Sequence, residues 1–136
     1  MKKFILSLLV LIILGVGLCG FARSKKPAVI FNQRPITTQN VNDMSSVFAP
    51  NTRIYYLILM PKPQYSRFLD IKIIKKGSAE YLGYKLFMTQ TIRLKDEEQK
   101  YYTDYFVISE KGAYIFKVFS RDNPSKVFTQ AEFYVK

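Results

Sequence analysis

The stretch Glu110-Lys111-Gly112-Ala113-Tyr114-Ile115-Phe116-Lys117-Val118-Phe119 sets a charged turn against a run of β-branched and aromatic residues. Such a run favours a pleated strand, which places a strand over Ala113–Phe119. Gly112 has no Cβ and can take a positive φ where the chain turns. Tyr114 follows two residues later. It can bury its ring and return its hydroxyl to backbone upstream.

The same reading extends in both directions. Ala28-Val29-Ile30-Phe31 is a first strand. Asn32 to Asn51 is polar, contains Pro35 and Pro50, and reads as a long connection with room for one short edge strand. Arg53 to Met60 is nearly continuously apolar, so both its faces must be covered and it belongs inside a sheet. Pro61 and Pro63 end it, because proline donates nothing to a ladder. In Phe68–Lys75, Leu69, Ile71 and Ile73 alternate with Asp70 and Lys72, the pattern of a half-buried strand. Lys76-Gly77-Ser78 turns the chain. Tyr81–Leu94 fits one long strand or two short ones, with Gly83 as a site for a bulge. Lys95–Lys100 is a charged turn, Tyr101–Ile108 a strand, Arg121–Ser125 a tight loop and Lys126–Val135 the last strand. About seven or eight short strands with no amphipathic helix among them predict an all-β sandwich.

Glu110 to Phe116 resembles the tyrosine corner of immunoglobulin-like domains, an acidic-x-Gly-x-Tyr pattern entering the penultimate strand. The resemblance implies an immunoglobulin-like β-sandwich with Gly112 and Tyr114 as its structural corner. Phe116 falls where antibody-type domains carry a disulfide cysteine, and an apolar ring can fill that space. The tryptophan and both cysteines of the antibody pattern are missing, as is common among bacterial immunoglobulin-like modules.

The chain has 136 residues, a formal charge of +11, ten Tyr, eleven Phe, one Cys and no Trp or His. It divides into a leader (1–22), a basic linker (23–27) and a single β domain (28–136). Met1-Lys2-Lys3 is a charged start, and Phe4–Ala22 carries no charge. This run lies between a secretory apolar core of about 7–15 residues and a span of about 20. A hydrophobic leader helix is expected, acting as a signal peptide or a membrane anchor. Gly20 and Ala22 place small residues where a signal peptidase accepts them, so cleavage after Ala22 is expected. Arg23, Lys25 and Lys26 beyond the run favour retention as an anchor instead. Val16-Gly17-Leu18-Cys19 resembles a bacterial lipobox. Leu18 stands where a small residue belongs, so Cys19 is expected to be unmodified. Each alternative puts the domain outside the cytoplasm, periplasmic or extracellular, and the leader looks bacterial. The lone cysteine allows no disulfide within the chain.

The sequence offers little for catalysis. Without histidine the commonest proton-transfer group near neutrality is absent. There is no Gly-x-Ser-x-Gly elbow, no cysteine in the β domain, no Cys/His zinc set and no glycine-rich phosphate loop. Asp96-Glu97-Glu98 lacks the spacing of a calcium loop. Asp70 and Glu80 would serve a glycosidase only if the fold brought them together. No enzyme, cofactor or metal is expected.

Two groups of side chains suit binding. The first is basic: Lys62, Arg67, Lys72, Lys75, Lys76 and Lys85. On one strand Lys72 shares a face with Ile74 and Lys76, while Lys75 points the other way. Lysines so placed also suit an edge strand guarded against pairing. The second is aromatic, with Tyr101-Tyr102 and Tyr55-Tyr56 each sending one ring to either face, and Tyr65, Tyr81, Tyr84 and Tyr105 nearby. Tyr101, Tyr102, Lys72, Lys75 and Lys76 are therefore the candidate binding residues. The expected function is a non-catalytic exported envelope module that binds another envelope protein or an anionic surface polymer. A structural subunit of an envelope assembly is the alternative, and a tethered domain touching anionic lipid is another. Export argues against nucleic acid.

Overall fold

The computed structural model describes residues 26–62, 66–77, 83–96 and 98–136. The leader, Cys19 and the cleavage site after Ala22 lie outside these residues, as do Tyr65, Glu80, Tyr81 and Glu97. Among the described residues the chain forms eight strands and no helix: β1 (Ala28–Asn32), β2 (Val47–Phe48), β3 (Arg53–Leu59), β4 (Phe68–Lys76), β5 (Tyr84–Arg93), β6 (Tyr101–Val107), β7 (Gly112–Ser120) and β8 (Val127–Val135). They make two sheets, one ordered β1-β3-β6 and the other β2-β8-β7-β4-β5. Every pairing is antiparallel except β2 with β8. The result is an immunoglobulin-like β-sandwich.

Alternation dictates what lies between the sheets. Ile54, Tyr56 and Ile58 of β3 face Leu69, Ile71 and Ile73 of β4, Tyr114, Phe116 and Val118 of β7, and Phe133 and Val135 of β8 in one cluster. Phe31, Phe106, Phe116 and Phe133 meet at ring separations of 5.2–5.8 Å. Each fully buried ring of this kind contributes about 1.5–3 kcal/mol. Phe116 lies at the centre of the cluster, filling the space between the sheets.

The apolar run of β3 is covered on both faces. Its inner residues join the core. Leu57 and Leu59 point outward into a second cluster with Ile30 and Val41, against which Ile36 packs. Ile36 and Val41 come from the β1–β2 connection, which folds back over the three-stranded sheet. Asn32 fixes that connection: its Nδ2 donates to the carbonyls of Asn40 and Asp43 at 3.2 and 3.1 Å, and its Oδ1 accepts from the Arg34 amide at 3.1 Å.

The corner closes one end. Tyr114 is fully buried and its hydroxyl donates to the Glu110 carbonyl, four residues upstream. Gly112 has φ +157°, and a Cβ there would lie 2.7 Å from Lys75 Cε. The bulge expected at Gly83 lies elsewhere. The β4–β5 register slips between Ile73 and Ile74, leaving Phe87 as the extra residue. Gly83 precedes a single strand β5 and takes φ +95° in the turn that leads into it.

Candidate binding face

β4 lies between β7 and β5, so it is no edge, and its lysines do not guard one. Its outward residues are Asp70, Lys72, Ile74 and Lys76, because Leu69, Ile71 and Ile73 are buried. Register carries this alternation across the five-stranded sheet. One row runs Gln130, Lys117, Lys72, Thr89 from β8 to β5. The next runs Glu132, Ile115, Ile74, Leu86. Lys72 and Lys117 thus stand directly opposite each other near the middle of an outer sheet face.

Neither Lys72 nor Lys117 is in an ion pair among the described residues. Lys72 extends along the sheet, its Nζ 5.1 Å from the centre of the Phe119 ring. Two like charges placed opposite each other across strands are destabilising. The flanking charges are balanced. Lys76 Nζ sits 2.6 Å from Glu132 Oε1. Asp70 accepts from Thr91 Oγ1 at 2.7 Å and from Arg121 Nε at 3.3 Å. The Thr91 hydroxyl first, then the Arg121 guanidinium and the Lys72 ammonium, hold the Asp70 carboxyl below its usual range. Arg121 and Arg93 also stack over Phe68, at 5.0 and 5.9 Å from its ring centre.

The other sequence candidates go elsewhere. Lys75 has the inward parity. It pairs with Glu110, lies against Gly112 and sits 6.0 Å from the Tyr114 ring, so it braces the corner. Tyr102 is half-buried against the core, and its hydroxyl donates to Asp104 Oδ2 at 3.2 Å. Tyr101 is half-buried in the outer cluster beneath the β1–β2 connection. Neither ring stands free, because each face of β6 at that end is already covered. The exposed tyrosine of the three-stranded sheet is at its other end. Tyr105 is 42% exposed, lies 5.6 Å from Tyr55, and has Arg53 4.6 Å above its ring. Gly112 and Tyr114 form the corner described above.

Lys117 was not among the residues singled out from the sequence. Its signal was its place between inward Phe116 and Val118, but nothing local to it says that Lys72 lies opposite. An open depression of about 370 Å³ is lined by Asn32, Gln33, Arg34, Asn40, Asp43 and Ser45. Its buried Asn32 already spends both ends of its amide on the loop. Asp70 is held by Thr91 and Arg121, while Glu80 lies outside the described residues. Among those residues no three His, Cys, Asp or Glu are grouped to hold a metal ion.

No protein-family model matches the chain, and no curated protein matches it. Solved structures of similar layout include the soluble domain of PmoD from a Methylocystis species, 11% identical, TM-score 0.49, covering 81% of this chain and 90% of that one. Superoxide reductase (neelaredoxin) from Ignicoccus hospitalis is 6% identical, TM-score 0.47, with 86% and 85% covered. A CARDB domain from Pyrococcus furiosus in complex with di-metal ions is 14% identical, TM-score 0.41, with 82% and 86% covered. None of these distant likenesses carries an argument about function.

Proposed function

We propose that this chain is a non-catalytic, exported binding module whose five-stranded sheet receives an anionic partner on its outer face. The observation that carries the reading is the opposed pair Lys72 and Lys117. A sheet gains nothing from two opposed lysines that make no ion pair among the described residues, and a carboxylate- or phosphate-bearing partner turns that cost into an attraction. Beyond the leader the chain still carries a formal charge of about +9, which draws such a partner from a distance. Export rests on the sequence of the leader, with its charged start, uncharged run and small residues at Gly20 and Ala22. A surface polymer and an acidic protein both fit this chemistry.

The test is binding to poly-L-glutamate over a series of salt concentrations. A Lys72→Gln/Lys117→Gln variant should bind at least about fivefold more weakly and with a shallower salt dependence. Lys111→Gln/Lys126→Gln removes the same charge from exposed loop positions and should bind nearly as the parent does. Equal losses in both variants would leave only a diffuse effect of net charge and sink the proposal.

A further inference from the structure

We propose that β5 is a docking edge that takes up an extended segment of a partner protein by strand addition, with an acidic side chain of that segment meeting Lys72. This rests on the anionic-partner reading of the same sheet and names the partner's form.

β5 borders its sheet, and among the described residues it pairs only with β4. The opposite border is β2, only two residues long, whereas β5 has ten. The direction of its free backbone groups follows from two hydrogen bonds. The Leu94 amide donates to the Arg67 carbonyl, and the Gly77 amide donates to the Gly83 carbonyl. Antiparallel pairing alternates bonded and non-bonded pairs. Counting inward from each end to the bulge, Tyr84, Leu86, Thr89, Thr91 and Arg93 turn their N–H and C=O away from β4. Edges of this kind are usually blunted by a bulge, such as the one at Phe87, and by Lys or Pro. Met88-Thr89-Gln90-Thr91-Ile92 contains neither Lys nor Pro.

Side chains along this edge suit an added strand. Leu86 and Tyr84 are 55% and 70% exposed, and Phe87 and Met88 are only partly buried against the core. Thr89 is short and completes the row of Lys117 and Lys72. A residue paired with Thr89 would stand two strand spacings, about 9–10 Å, from the Lys72 backbone. Lysine and glutamate side chains together span that distance. Lys85 and Arg93 flank the neutral stretch, so a second copy of this basic chain would set positive ends together. The charge selects an acidic segment.

The experiment follows backbone amides of the full-length chain by NMR during titration with a short peptide of alternating Thr and Val carrying one central Glu. The expected result is slowed solvent exchange at the amides of Thr89, Thr91 and Arg93. A peptide with Lys in place of Glu should bind about tenfold more weakly. A peptide N-methylated at alternate residues should not bind. Thr89→Pro should abolish peptide binding yet retain binding to poly-L-glutamate, which separates this inference from the reading it rests on. If Thr89→Pro fails to fold, the N-methylated peptide decides alone. Unchanged β5 amides, or equal binding of the N-methylated peptide, overturn the inference. So does sedimentation showing that the chain dimerises through β5 without peptide.

Discussion

Tyr114 and Tyr56 are both buried tyrosines with opposite hydrogen-bonding circumstances. Tyr114 donates to Glu110, so Tyr114→Phe should destabilise by about 0.5–1.5 kcal/mol in a urea titration. The Tyr56 hydroxyl is buried, only 1% of the residue is exposed, and it has no hydrogen-bond partner among the described residues. Burial pushes its phenol pKa far up. Tyr56→Phe removes that desolvated group and should be neutral or stabilising by about 1 kcal/mol in the same assay. Gly112→Ala should cost about 1 kcal/mol through its positive φ. The cost should shrink beside Lys75→Ala, since part of it comes from displacing Lys75 from Glu110. Asp70 titrates with a definite sign. Its folded pKa is depressed, so its contribution is present above the ordinary carboxylate value and is lost as pH falls through the depressed one. Stability should therefore begin to fall as pH drops below about 5 and continue falling through the ordinary carboxylate value toward the depressed one, less steeply in Asp70→Asn. The corner was legible because Gly112 and Tyr114 act on chain neighbours. The missing partner of Tyr56 was not, since it depends on residues from several strands.

At the scale of the strand, position in the sheet decides what a substitution costs. Thr89 turns its amide away from β4, the only strand that pairs with β5 among the described residues, so Thr89→Pro should change stability by no more than about 0.5 kcal/mol. Val118→Pro, in the interior strand β7, should cost at least about 3 kcal/mol or prevent folding. Lys117→Thr relieves the repulsion with Lys72. It should stabilise by about 0.2–1 kcal/mol while weakening binding to poly-L-glutamate. Thermal melts beside the binding assay would check both signs. The apolar run of β3 was legible as a strand covered on two sides because hydrophobicity is local. That its cover is the polar β1–β2 connection, through Ile36 and Val41, was not. Nor was the placement of Tyr101 and Tyr102, since alternation assigns faces but does not say which faces are already occupied.

Across the whole molecule, two sheets of unequal size present different outer faces. Lys72, Lys76 and Lys117 stand on the five-stranded face, Tyr55 and Tyr105 on the three-stranded one. Composition announced a basic β domain, but it could not concentrate the charge in one row. That needed the pairing of β4 with β7, chain segments far apart in sequence. The measurement that bears most directly on the binding face is an NMR map of the full-length chain titrated with poly-L-glutamate. The largest shifts should fall on Lys72, Lys117 and Thr89 and diminish with added salt, with the Tyr55–Tyr105 face unmoved. Shifts spread evenly over both faces, or centred on the three-stranded sheet, would contradict the binding face described for this protein.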